Sequence, residues 1–254
     1  MSETSPVQTS LDLVTIPPAG YAAYWLSVKR LMDKKRGPEA LADELQFSTE
    51  PYTKLLLQAA ASTLDDETLR RMARNKALTL ARDFRRKFRL IRQTACAMAT
   101  GENPAKTLIT LSGAFGMPVL DEARTMEQAQ GLIETMRAGD LDPAVFPDIS
   151  HLTRPEELIL KLIFFVLWAR RQGKTGLQAF LPGVSFPYLG DALRLCIDGL
   201  EEPFIRRRLD AQASELLIEA SHKMRMGLEL ALAIKNRKPY DDLLAMARSF
   251  LLDM

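Results

Sequence analysis

Between residues 66 and 99 the apolar side chains fall at Leu69, Ala73, Ala77, Leu80, Phe84, Phe88, Ile91, Ala95 and Met98. Steps of three and four averaging about 3.6 residues are the α-helical period, so this stretch predicts one long amphipathic helix. At 1.5 Å per residue it would span roughly 50 Å. Adding 136 to each position gives Ile205, Leu209, Ala213, Leu216, Ala220, Met224, Gly227, Ala231 and Ile234, and the stripe recurs place for place. The starts agree too. Asp66 is expected to cap the first copy, and Pro203, after Glu202, suits a first helical position where its missing N–H costs nothing.

Shorter helical patterns surround each long one. Residues 21–35 read as a helix that ends in Lys34, Lys35 and Arg36 before Gly37 and Pro38, a C-terminal signal. Short helices are predicted over 38–46 and 52–62 before the long one, and over 104–115 after it. The series returns at 155–171, with Gly173 for Gly37, Leu177 for Leu41, Pro187 and Tyr188 for Pro51 and Tyr52, Arg206 and Arg207 for Arg70 and Arg71, and 239–250 for 104–115. Aligned without gaps, positions 24–99 and 160–235 share 17 identities in 76, against about five expected by chance, which marks a duplicated unit. Residues 121–138 add a helical pattern between the copies. No Val/Ile/Thr-rich alternation occurs, so the expected fold is all-α: two tandem helical repeats, each with short helices packed on one long helix. The expected segments are a disordered tail at 1–19, repeat 1 at 20–118, a helical linker at 119–154 and repeat 2 at 155–254.

At 254 residues and 47% hydrophobic content the chain can bury a substantial core. A net charge of +2 excludes a strong global affinity for nucleic acid or acidic membranes, so any such role needs a local patch. Two cysteines, Cys96 and Cys196, point to a reduced, cytoplasmic setting without disulfides. The N-terminal residues lack both the basic start and the apolar run of a secretory signal. The most apolar run, 158–169, contains Lys161 and is shorter than the roughly 20 residues that cross a bilayer, so no membrane insertion is expected.

Catalytic chemistry has little to rest on. His151 and His222 stand apart from any cluster at ligand spacing, and phosphate-loop, nucleophile-elbow and zincin motifs are absent. The expectation is a protein without enzymatic activity, cofactor or metal. Charge is more informative. Arg82, Arg85, Arg86, Lys87, Arg89 and Arg92, preceded by Arg70, Arg71, Arg74 and Lys76, make the first long helix basic over 70–92, with Asp83 almost alone in opposition. A solvated helix face is the plain reading. A functional one is pairing with an acidic partner or, as the alternative, nucleic acid. Interleaved aromatics for base stacking are missing, because Phe84 and Phe88 lie on the apolar stripe. The second copy carries Asp210, Glu215, Glu219 and Glu229 among its bases and is nearly neutral.

The runs LILKLIFFVLWARRQGKTGLQAF and FPYLGDALRLCIDGLEEPFIRRRLDAQ in the second copy resemble the cytoplasmic region of MotA-type flagellar stator subunits, in the wider TolQ/ExbB family. KRLMDKKRGPEALADEL and LLLQAAASTLDDETLRRM are the more distant counterparts in the first. The resemblance implies a helical, rotor-facing module. In the family the long helix continues into the membrane, whereas here Gly101, Asn103 and Pro104, and Asn236 and Pro239, end both helices. The family contacts its rotor through a basic residue at the end of the first cytoplasmic helix and an acidic one about two turns later. The basic place corresponds to Arg170 and Lys34, and the acidic place falls on Gln178 and Ala42. The resemblance thus implies a protein partner, a flagellar rotor or stator component, met by the paired basic turns Lys34-Lys35 and Arg170-Arg171. The basic face of Arg82, Arg85, Arg86 and Arg89 is the second expected contact.

Overall fold

The two long apolar stripes form two long helices, α4 (Asp66–Thr100) and α9 (Glu202–Lys235). In a computed structural model the described residues are 11–35, 41–116, 120–150 and 152–252, and among them there are ten α-helices and no strand. The shorter helices are α1 (Pro18–Lys35), α2 (Ala42–Phe47), α3 (Pro51–Ala60), α5 (Pro104–Ser112), α6 (Glu122–Ala138), α7 (Pro155–Gln172), α8 (Pro187–Ile197) and α10 (Tyr240–Leu252), with a 3-10 segment over Lys174–Gly183. Proline opens α3, α5, α7 and α8, where no amide hydrogen is needed. Gly139 (φ 83°) and Gly173 (φ 79°) end α6 and α7 in the left-handed region that a side chain resists. No helix among the described residues is long and apolar enough to cross a membrane.

Asp65, one residue earlier than expected, caps α4, accepting from the Thr68 amide at 2.8 Å. Asp66 is thereby freed for a tertiary role. Residues 1–10 of the expected tail lie outside the described residues, but Leu13 and Val14 are buried and the Ile16 carbonyl accepts from Lys223 Nζ at 2.7 Å. The apolar run from Leu11 to Ile16 therefore packs where a disordered tail was expected.

The chain forms two compact units that cut across the expected segments 20–118 and 155–254. One is Met1–Arg82 with Leu216–Met254, and the other is Asp83–Glu215. Each unit joins the short helices that precede one copy's long helix to the first part of that long helix, and to the last part of the other copy's long helix with the short helix that follows it, α10 in the first unit and α5 in the second. The expectation that each stripe is buried against its own short helices is corrected accordingly. A helix of 34 or 35 residues presents more apolar stripe than two short helices can cover, and its other half finds cover elsewhere.

In the first unit α4 and α9 run antiparallel. Lys235 donates to Asp66 at 2.6 Å, and Arg70 forms a forked pair with Glu229. Tyr52 of α3 reaches across the copies to donate to the Met224 carbonyl at 3.1 Å. Tyr21, Trp25, Leu56 and Leu57 fill the core, with Tyr21 and Thr53 hydroxyls 3.1 Å apart. In the second unit α4 and α9 are again antiparallel, with Arg92 paired to Asp210. Tyr188 of α8 donates to the Leu209 carbonyl at 3.1 Å, and its ring lies 4.7 Å from that of Phe88. Phe146, Phe164, Phe165 and Phe180 form an aromatic cluster with centroids 4.2 to 6.1 Å apart, mostly edge-on or tilted as ring quadrupoles prefer.

Candidate functional site

The basic turn of the second copy is built by α7. Leu162, Ile163, Phe165 and Val166 bury the helix against its unit, so its register is fixed and Arg170 and Arg171 emerge into solvent one turn before Gly173. Arg171 donates to Glu134 of α6 at 2.7 Å. Arg170 is exposed and has no ion-pair partner among the described residues. Both line an open recess of about 480 Å³ with Asn103, Pro104 and Ala105 at the start of α5 and Met126 and Gln130 of α6. Lys174, just beyond the turn, donates to the Ala99 carbonyl at 2.7 Å and so satisfies the C-terminal end of α4. Gln178, at the acidic place of the stator pattern, is exposed.

The first copy's turn is less fully described. Lys34 is exposed at the end of α1, while the Lys35 side chain, Gly37 and the Ala42 side chain lie outside the described residues, as does His151. One turn earlier, Arg30 stacks 4.8 Å over the Tyr240 ring and donates to its hydroxyl at 2.8 Å. His222 is half-buried.

The basic face of α4 is partly committed to the protein itself. Arg86 pairs with Asp83 at 3.4 Å and lies 5.0 Å over the Phe115 ring, and Arg89 donates to the Ala114 carbonyl at 3.3 Å. Together they hold the turn that follows α5. Arg92 and Arg70 are spent on Asp210 and Glu229 of α9. Arg82 and Arg85 remain exposed. Two of the acids that make the second copy nearly neutral, Asp210 and Glu229, are thus counter-ions of the first copy's bases.

Both thiols are free and buried. Burial, and then Glu202, push Cys96 up to about 11, and burial pushes Cys196 up to about 12. Neither is therefore a ready nucleophile at neutral pH. Among the described residues no three His, Cys, Asp or Glu side chains converge as a metal site.

A second feature has no counterpart in the sequence pattern. In the first unit α4 and α9 line a cleft of about 460 Å³, with Ala77, Leu78, Met224 and Leu228 from the two helices joined by Tyr52 and Phe250. Arg74 and Arg225 both line it. Ala77, a stripe position in the sequence, and Ala81 put only methyl groups on its α4 wall. Comparison with known protein families, curated proteins and solved structures finds no match for this chain.

Proposed function

We propose that this chain is a non-enzymatic helical interaction module of the cytoplasm that docks an acidic partner protein through the turn at Arg170 and Arg171. The observation that carries the reading is Arg170 itself, an exposed cation without an ion-pair partner among the described residues, held by a buried helix at the lip of a recess. Cations at a helix C-terminus are favoured by its dipole, which gives such a residue a structural use worth a few tenths of a kcal/mol. That use does not call for two consecutive bases in both copies. The likeness of the second copy to stator cytoplasmic regions makes a rotor or stator component of a motility machine the first partner to test. Nucleic acid is the weaker reading, because Arg70, Arg86, Arg89 and Arg92 of the basic helix already have partners within the protein.

Affinity capture from native lysate with mass spectrometry should name the partner. Arg170→Glu/Arg171→Glu should then slow its association at low salt, since such charges act mainly on encounter rate. An association rate equal to wild type at low salt would reject the turn as the docking site and leave Arg82 and Arg85 as the candidates.

A further inference from the structure

The sequence offset that aligns the two copies sets the lining of the first unit's cleft against counterpart residues in the second unit, and the two sets differ. The offset of 136 pairs Met224 with Phe88, Leu228 with Arg92, Arg74 with Asp210 and Arg225 with Arg89. In the second unit Phe88 stands in contact with Tyr188, and Arg92 bridges to Asp210. In the first unit the smaller Met224 and Leu228 leave space, and the acid is replaced by Arg74.

The antiparallel register makes this replacement unusual. Arg70 pairs with Glu229, a residue sum of 299, and 74 and 225 give the same sum, so Arg74 stands opposite Arg225. Two exposed cations thus line the cleft from opposite helices, beside the Arg70–Glu229 pair whose charges cancel, and neither has an ion-pair partner among the described residues. Like charges so placed disfavour the empty state and favour an anion between them, and guanidinium forks match a carboxylate. From Arg74 to Ala81 the cleft runs about 10 Å along α4 at 1.5 Å per residue. That stretch is lined by Ala77, Leu78, Ala81 and Met224, with the Phe250 ring beside it.

We propose that this cleft binds a single-chain amphiphile with an anionic head, the simplest being a medium-chain fatty carboxylate. The carboxylate lies between Arg74 and Arg225, and the alkyl chain lies over Ala77, Ala81 and Met224. The volume of about 460 Å³ falls in the range of small-ligand sites, which are mostly apolar with a few orienting polar groups. This site is separate from the basic turn, and its test does not depend on the partner of that turn.

Calorimetric titration of the full chain with acetate, octanoate and decanoate decides the matter. Each buried methylene should tighten binding about fourfold, so decanoate should bind about fifteen times more tightly than octanoate, and acetate should give no measurable heat. Decanol, with the same tail and no charge, should bind at least about tenfold more weakly than decanoate. Arg74→Glu/Arg225→Glu should weaken decanoate at least about tenfold, while Arg207→Glu/Arg208→Glu, an equal charge change on an exposed face of α9, should leave it unchanged. Ala81→Trp should fill the cleft and abolish binding. If that variant loses its helical circular dichroism, the chain-length series and the arginine pair still decide. Affinity that is independent of chain length, equal for decanol, or unmoved by the arginine reversal overturns the proposal. So does an acidic amphipathic Glu/Leu peptide that binds and is not displaced by decanoate, because the cleft would then be a dock for a helix.

Discussion

Lys235, in the last turn of α9, donates to Asp66, in the first turn of α4, at 2.6 Å, and Asn236 donates to the same carboxylate at 2.7 Å. The acid sits at the positive end of one helix dipole and the cation at the negative end of the other, so the antiparallel arrangement satisfies both ends with one pair. One turn into α4 the charges are reversed, with Arg70 of α4 paired to Glu229 of α9. That pair sets the register from which Arg74 is found opposite Arg225.

Acid should loosen this contact. Hydrogen bonds from Lys235 and then Asn236 hold the Asp66 carboxyl below its ordinary value of 3.8, and Arg206 does the same for Glu202, as Lys106 does for Glu102. A carboxyl depressed on folding stabilises the protein fully above its unfolded value and loses that contribution as pH falls through the folded one. Melting temperature should therefore be level near neutral pH and fall on acidification below about pH 4. Asp66→Asn should lower it at pH 7 and flatten the part of the acid decline that Asp66 causes. A decline of unchanged slope in the variant would show that the carboxylate carries no net stabilisation.

How far the fold was legible follows from which residues carry their information locally. The nine positions from Leu69 to Met98 gave α4 to within a residue because a 3.6-residue period is a property of the helix itself. The same stripe could not say which surfaces cover it. Met224 reads as stripe in the second copy, but its carbonyl meets Tyr52 of the first copy, 172 positions away. The pairing of Arg92 with Asp210 was present in the sequence as complementary charge on two duplicated helices, yet without an antiparallel register neither residue points to the other. Arg170 was legible because a basic turn before a glycine is a local signal. The Arg74 and Arg225 cleft was not, since it depends on which residues of α9 the tertiary register sets against Ala77 and Ala81 of α4.

Burial separates the stripe positions that look alike in sequence. Phe84 and Leu209 are buried, so Phe84→Ala should cost about 3 to 5 kcal/mol and Leu209→Ala about 2 to 5. Leu216, expected in the core from its stripe position, is only half-buried at the place where α9 passes from one unit to the other. Leu216→Ala should cost about 1 kcal/mol, in proportion to the apolar area it keeps from water. Arg82→Ala, exposed, should stay within about 0.5 kcal/mol. Chemical denaturation of the four variants checks the order, and a Leu216 variant as costly as the Leu209 one would mean that the stripe is buried without a break.

The thiols offer a readout of opening. The Cys196 thiol donates to the Ala95 carbonyl at 3.4 Å, and Cys96 lies buried on α4. Both should resist a thiol-specific reagent at pH 8 in the folded protein and react together at the denaturant concentration that unfolds their unit. Burial raises both above the ordinary 9.0, to about 11 and about 12, so the neutral form is favoured by folding. The corresponding stabilisation is complete below pH 9 and is lost as pH rises through 9 toward those values. Rapid labelling of either thiol at pH 8 without denaturant would show local opening of that part of the unit.

Gly227 holds the stripe position that Ile91 fills in the first copy, and its lack of a side chain is structural. A Cβ built there would lie 2.6 Å from the Tyr21 hydroxyl and 2.9 Å from Cε1 of the same ring. Tyr21 is wholly buried, with its hydroxyl against Thr53, so it has little room to give way. On helix propensity alone Gly227→Ala would stabilise α9 by about 1 kcal/mol. Overpacking of a close-fitting core costs about 1 to 3 kcal/mol, and the clash with a ring fixed on two sides should win, for a net loss. Tyr21→Phe removes the nearest atom at 2.6 Å but leaves the ring carbon at 2.9 Å, so the double variant should recover only part of the loss beyond the cost of Tyr21→Phe alone. A double-mutant cycle in denaturant measures that coupling, and additivity of the two changes would show that the ring moves aside at no cost and that the glycine is not required by the tyrosine.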